Sequence, residues 1–332
     1  MYESFYKLSA KPFQLSPDPR FYYPSSGHKR AMAYLRYGLA QGEGFIVITG
    51  DIGSGKSMLV RTLLAELSNE NVLAAQLVTT QLEAEDLLKM AAAALGLPDP
   101  AGVSKGVLLK QLETFLSAQA KAGKRVLLVI DEAQNLPPRS LEELRMLSNF
   151  QVGQKALLQS FLLGQREFRS TLLAEGLEQL RQRIIAAYHL SPLSLDETRS
   201  YIEHRLHLVG WNGMPSFSDA AFDSIYQLTG GIPRRVNLLC DRLLLYGFLE
   251  EKQDINKEAV KIVQEELLGE LSYPKTEKPT AQVETPKAGT LAPVSDDVEH
   301  RIIVLEKNMK ALENAVRRGF GLLRRAMLSN AR

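Results

Sequence analysis

A single cysteine, Cys240, stands in 332 residues, so no intramolecular disulfide can form and a reducing compartment is the expected setting. An excess of charge of one sign is also lacking. The 40 Lys and Arg face 38 Asp and Glu, a formal net charge of +2. That balance excludes a protein that coats nucleic acid with its whole surface. No run approaches the ~18 consecutive apolar residues of a membrane-spanning helix. The opening MYESFYKLSAKPF has no basic head followed by an apolar stretch, which argues against a secretory signal. A soluble cytoplasmic protein is expected. With 45% hydrophobic and 23% charged residues the composition is globular, and the length suggests two domains of roughly 150 residues each.

Patterning refines that division. Residues 1–192 alternate short apolar runs with amphipathic stretches, as a parallel sheet with crossover helices requires. Buried strands are expected at 45–49, 72–78, 126–130, 157–163 and 184–190, with helices at 58–68 and 83–95. After Pro192 the strand signal stops, and helices are expected near 195–209, 218–227, 233–250 and 256–268, a helical lid over 193–270. Residues 271–297 carry four prolines, four threonines and almost no large apolar side chains, so they read as a flexible linker. Over 298–330, Val298, Ile302, Leu305, Met309, Leu312 and Val316 recur at spacings of four and three, a coiled-coil-like amphipathic helix. The near-neutral total conceals an asymmetry: residues 298–332 hold eight Lys and Arg against three Asp and Glu.

Two motifs carry chemistry. Gly50-Asp51-Ile52-Gly53-Ser54-Gly55-Lys56-Ser57 satisfies G-x-x-x-x-G-K-[ST] between a strand and a helix start. Glycines let backbone N–H groups close around phosphate oxygens, and the helix N-terminus adds positive potential. Lys56 is expected to neutralise the β- and γ-phosphates of ATP, and Ser57 to ligate Mg²⁺. Further on, the apolar strand 126–130 ends in Asp131-Glu132. At the carboxyl edge of a parallel sheet, Asp131 would hold the Mg²⁺ shell and Glu132 would orient and deprotonate a water. His189, His204 and His207 lack a third ligand at zinc spacing and form no metal set. Cys240, inside the apolar run 236–245, reads as a buried lid residue.

With Asp131-Glu132-Ala133-Gln134 following the strand, the chain resembles the AAA+ ATPases of the general secretion pathway protein A type. The resemblance rests on MYESFYKL, PFQLSPDPRFYYPSSGHKRAMAYLRYGL, LEELRMLSNFQ, LLGQREF, LEQLRQRIIAAYHLSPLS and GGIPRRVNLLCDRLLLYG, and covers about residues 1–268. It looks closest to the subgroup associated with exosortase (PEP-CTERM) and exopolysaccharide loci, near an ATPase of mannose-sensitive haemagglutinin pilus biogenesis. The implied fold is an α/β P-loop NTPase core with a C-terminal helical lid. The resemblance implies a first sensor at Gln165 and an arginine finger at Arg183, with Arg181 as competitor. It also implies a second sensor at Arg234, and an adenine-side segment containing Phe21-Tyr22-Tyr23-Pro24 and His28. Thr79-Thr80 matches a polar position that can restrain the catalytic carboxylate.

An arginine finger acts in trans, so the resemblance implies a homo-oligomer with sites completed at subunit interfaces. Self-association or partner binding is expected of the seam over 298–330. Its basic end (Arg317, Arg318, Arg324, Arg325 and Arg332) suits an anionic membrane surface or an acidic partner. The implied function is ATP hydrolysis that drives or regulates envelope export or polysaccharide assembly at the inner face of the membrane, through proteins of that system. The alternative is a nucleic-acid-binding regulator of the transposition-ATPase type. Against it, no appended helix-turn-helix is visible and residues 1–297 are not basic.

Overall fold

The computed structural model describes residues 1–67, 71–78, 83–98 and 102–271, which lie in one compact unit. The linker expected at 271–297, the helix expected at 298–330 and the pair Thr79-Thr80 lie outside the described residues, apart from Leu271. In chain order the elements begin with helix α1 (Tyr2–Phe5), a 3-10 turn at Pro19–Phe21, α2 (Ser26–Gln41), strand β1 (Phe45–Gly50) and α3 (Lys56–Leu67). Next come β2 (Val72–Val78), α4 (Ala84–Ala94), α5 (Lys105–Lys121), β3 (Arg125–Asp131), α6 (Pro138–Leu147), β4 (Gln151–Val152), β5 (Lys155–Ala156) and β6 (Leu158–Gly164). The α/β part closes with α7 (Glu167–Leu173), α8 (Glu178–Arg181) and β7 (Ile184–Leu190). The lid comprises α9 (Leu195–His207), β8 (Ser216–Phe217), α10 (Asp219–Thr229), α11 (Pro233–Leu249), β9 (Asp254–Ile255) and α12 (Lys257–Leu271).

Five strands form a parallel sheet in the order β2-β3-β6-β1-β7. Strands buried on both faces are mostly apolar, and FIVITG in β1 and LQSFLLG in β6 are buried throughout, with Gln159 of β6 donating to the Gly38 and Glu43 carbonyls at 2.6 and 3.0 Å. Alternate side chains feed two cores. Phe45, Val47, Leu128, Ile130 and Leu162 join helices α4 to α8 on one face, while Ile46, Ile48, Leu127, Val129 and Phe161 meet α2 and α3 on the other.

A third apolar cluster lies in the lid, and its composition differs from a domain division at residue 192. Tyr2, Tyr6, Leu8, Phe13 and Phe21 pack with Ile202, Leu206, Phe222, Leu243 and Val260. The chain's first turns therefore fill the lid's core. Short N-terminal helices cannot bury a face alone, and the lid helices leave them a groove. The Tyr2 hydroxyl fastens this packing by donating to Asp241 Oδ1 at 2.6 Å. The lid also contains a parallel strand pair, β8 with β9, in a region where only helices are expected from sequence. Strands of two residues show no alternation by which they could be recognised.

The passage from sheet to lid is pinned by Glu197. Ser194 and Glu197 form a reciprocal capping box at the start of α9, and Glu197 also accepts from the Ser26 N–H of α2 at 2.8 Å. Helix α2 packs closely on β1 through Gly38, where an added Cβ would lie 2.2 Å from Ile46 Cδ1. Gly38→Ala is expected to destabilise by about 1–3 kcal/mol through overpacking, against the roughly 1 kcal/mol gain of Gly→Ala in an exposed helix. Denaturant unfolding checks this; a gain in stability would show that α2 and β1 are not in contact there.

Candidate nucleotide-binding and catalytic site

Parallel strands deliver their C-terminal ends to one edge, and there the first motif becomes a turn. Gly53 and Gly55 adopt φ of +81° and +101°, which only glycine takes readily, and Lys56 opens α3. At Gly55 a Cβ would meet His28 Nε2 at 2.7 Å, so the loop packs directly against that ring. His28 is buried, and its Nδ1 lies 2.7 Å from Ser25 Oγ. Burial lowers its pKa, outweighing the Ser54 backbone and the Glu197 charge, and favours the neutral form. Lys56 Nζ donates to the carbonyls of Gly50 and Asp51 at 2.9 and 3.0 Å. Burial lowers the lysine's pKa, while Glu132, Asp131 and Asp51 oppose that shift.

The second motif meets the first across the sheet edge. Ser57 Oγ donates to Asp131 Oδ2 at 2.6 Å, and Asp131 Oδ1 accepts the Glu132 N–H at 3.0 Å. A serine hydroxyl beside a buried carboxylate is the oxygen set that suits Mg²⁺, a cation that keeps most of its waters.

Glu132 sits at φ +55°, a left-handed conformation that a glutamate adopts only under constraint. Gln134 Nε2 and Gln165 Nε2 both donate to its Oε2, at 2.6 and 3.0 Å, and the Gln165 N–H donates to Gln134 Oε1 at 2.9 Å. Burial alone would raise the Glu132 pKa. The donors Gln165 and Gln134, with the Lys56 charge, outweigh it and hold the carboxyl below its ordinary value.

The three residues assigned by resemblance fall in different places. Gln165 follows β6 and touches Glu132 directly. Arg234, in the first turn of α11, donates its N–H to the Gly53 carbonyl at 3.2 Å, so the lid helix rests on the phosphate loop. Arg183 lies elsewhere. It precedes Ile184, which pairs with Phe45 at the start of β1, whereas the loop follows Gly50 at the strand's other end. Five residues of strand rise separate the two ends by roughly 17 Å. Arg183 Nη1 reaches Ser148 O and Oγ, both at 3.3 Å. Arg181 is committed to its own loop, through Leu172 O at 2.8 Å, Ala174 O at 3.0 Å and Glu178.

These elements enclose a cleft of about 420 Å³, bounded by Ile52 to Ser57 apart from Ser54, by Glu132, by Arg234 and Asn237 of the lid, and by the strap 14–17. Leu15 and Ile52 expose apolar surface there. Sequence reasoning missed the strap and the roles of Gln134, Tyr201, Arg205 and Asn237. One signal was present: Arg205 interrupts the apolar stripe Tyr201, Ile202, Leu206 and Val209 of α9. Phe21, expected on the adenine side, lines the cleft and also has its ring under the Arg205 guanidinium, 4.7 Å from the ring centroid. Tyr22 and Tyr23 line the cleft too.

Residues 39–172 match the family described as AAA domain. General secretion pathway protein A of Aeromonas hydrophila is 40% identical over 248 residues, covering 75% of this chain and 45% of that protein. The chain thus spans less than half the length of this relative. Among solved structures, Cdc6p of Pyrobaculum aerophilum superposes with a TM-score of 0.62 at 18% identity, over 78% of this chain and 71% of that one. The ORC1 protein of Aeropyrum pernix, solved in complex with DNA, gives 0.58 at 19% identity, over 79% and 70%. At such identities these two likenesses concern the fold alone. The chain has the AAA+ P-loop fold. Across three quarters of its length its sequence is similar to that of general secretion pathway protein A.

If Gln165 and Gln134 keep Glu132 ionised, Gln165→Ala leaves burial less opposed, and the Glu132 carboxyl then titrates at higher pH than in the unmodified protein. Carbon-detected NMR titration of labelled glutamate reads this directly, and an unchanged or lowered midpoint would refute the assignment.

Proposed function

We propose that the chain is a Mg²⁺-dependent ATPase that works as an oligomer and powers or regulates a cell-envelope export or assembly system. The observation that carries the enzymatic part is that Glu132, held by Gln165 and Gln134, lines one cleft with Lys56 and with Ser57, which is hydrogen-bonded to Asp131. Lys56 exchanges its loop carbonyls for the β- and γ-phosphates. Ser57 and Asp131 would hold Mg²⁺, which supplies neutralisation of charge on the phosphate oxygens. Glu132, kept ionised by its two amide donors, takes the proton of the attacking water as the new oxygen–phosphorus bond forms and the bond from the γ-phosphorus to the bridging oxygen breaks, releasing ADP. Arg234 senses the γ-phosphate from the lid, through a helix that already touches Gly53.

Arg183 supports the oligomer. It sits at the far end of the sheet from its own phosphate loop, so it serves a neighbour's site or none. With Arg181 occupied by its own loop, Arg183 is the better finger. The pathway reading rests on the 40% identity to general secretion pathway protein A and on the sequence resemblance to the exopolysaccharide and PEP-CTERM subgroup. The protein acts from the cytoplasmic side, with peripheral membrane contact through its basic C-terminal residues. Among the described residues no helix is long and apolar enough to cross a membrane.

Purified protein hydrolyses ATP only with Mg²⁺. Glu132→Gln binds ATP but loses turnover by about 10²–10³-fold, and Lys56→Ala loses binding. Retained turnover in Glu132→Gln would remove Glu132 as the base. Arg183→Ala lowers kcat by at least about 10²-fold with little change in ATP affinity. Mixing Arg183→Ala with Glu132→Gln subunits restores part of the rate, since some interfaces then hold an intact Glu132 and an intact finger. No recovery on mixing would refute action in trans.

A further inference from the structure

One buried guanidinium in the lid pairs with no carboxylate among the described residues. Arg205 is 4% exposed, yet its Nε donates to Pro12 O at 2.6 Å and its Nη1 to the Tyr201 hydroxyl at 2.7 Å. Nη2 lies 3.5 Å from Gln14 O. A buried charge without a counter-charge costs several kcal/mol unless hydrogen bonds and ring contacts offset it. Here the Phe21 and Tyr201 rings and three oxygens provide that offset.

The direction of these bonds has a chemical consequence. A guanidinium only donates, so the Tyr201 oxygen must accept from Arg205. The single hydroxyl proton of Tyr201 is then free to go onward, and it goes to Asn237 Oδ1 at 2.8 Å. With its oxygen so committed, the group that Asn237 has left to offer the cleft it lines is its NH₂, a pure donor. A neutral side chain in place of Arg205 would remove this constraint, because Tyr201 could then accept from an inverted Asn237 amide. The same guanidinium holds the carbonyls that lead into the strap 14–17. The far end of that strap is held by Arg61 of α3, which donates to Pro17 O at 3.4 Å. The phosphate end of the cleft belongs to residues 50–57, and Asn237 lies with the strap, Phe21, Tyr22 and Tyr23 on the remaining wall, where the base would sit.

We propose that Arg205, acting through Tyr201, sets the polarity of Asn237 and makes it the base-reading residue of the cleft. A donor facing N1 of the purine selects adenine, whose N1 accepts, over guanine, whose N1–H donates; guanine O6 would accept only from a donor shifted along that edge. Arg205 and Tyr201 are positioning residues, and Asn237 makes the contact. The inference rests on the reading of the cleft as a nucleoside triphosphate site and deepens it.

Calorimetric titration of the full chain with ATP, GTP and inorganic tripolyphosphate tests it. The unmodified protein binds ATP more tightly than GTP. Asn237→Asp, which replaces the donor by an acceptor of the same shape, lowers the ATP-to-GTP affinity ratio by about tenfold or more. Tyr201→Phe keeps the ring, frees the amide to invert, and lowers the ratio by roughly threefold to tenfold. Tripolyphosphate affinity stays unchanged in Tyr201→Phe, and the negative charge that Asn237→Asp adds lowers the affinity for all three anions alike and cancels in the ATP-to-GTP ratio. A ratio unchanged in both would overturn the proposal, and so would equal losses for all three ligands in Tyr201→Phe, which mark a merely structural role. Failure of the unmodified protein to bind either ATP or tripolyphosphate would overturn the triphosphate reading itself, and this inference with it.

Discussion

The bond from Ser57 to Asp131 exists because β1 and β3, with β6 between them, run parallel and end on one edge of the sheet. The registers that pair Ile48 with Leu163 and Ile130 with Leu162 bring Gly50, Asp131 and Gly164 to that edge together. The segments that leave these strands are then forced into one neighbourhood: the phosphate loop, the carboxylate pair and Gln165. The apolar burial that holds the three strands has no chemical specificity of its own. Its contribution is geometric, since a slip of one residue would turn each side chain to the opposite face and dissolve both cores.

Around this edge the lid is held by contacts of a different kind. Glu197 joins α9 to α2, Arg234 places its backbone on Gly53, and Arg205 and Arg61 hold the two ends of the strap. Each is a directional bond between the lid or the strap and the rest of the molecule. The cleft rim thus unites groups that a bound nucleotide would touch with groups that set the lid's orientation. The N-terminal residues belong to the same device, because Tyr2, Tyr6 and Phe13 complete the lid's core before the chain passes beneath the cleft.

Much of this was legible in the residues alone. Strands 72–78 and 184–190 have the bounds that apolar periodicity indicates, and the lid helices begin at Ser194, Ser218 and Pro233, residues that cap or start helices for local reasons. Local signals failed where the cause was remote. The β4–β5 hairpin and the β8–β9 pair are too short to show a period, and β8 exists only because residues 216–217 find 254–255 across the lid. The second role of Phe21 could not be read either: its ring lines the cleft and also lies under the Arg205 guanidinium, and only the position of Arg205 reveals the latter.

The amino-acid sequence by itself determined the phosphate loop, the carboxylate pair and the alternation of strand and helix, because these depend on glycine conformation, side-chain chemistry and short-range periodicity. Only the tertiary structure decided that Gln134 and Gln165 converge on one oxygen of Glu132, that Arg183 lies at the opposite end of the sheet from its own loop, and that Arg205 dictates which face Asn237 shows the cleft. Those facts join residues far apart in the chain, Phe45 with Ile184 among them, and the direction of a hydrogen bond becomes defined only when both partners are in place.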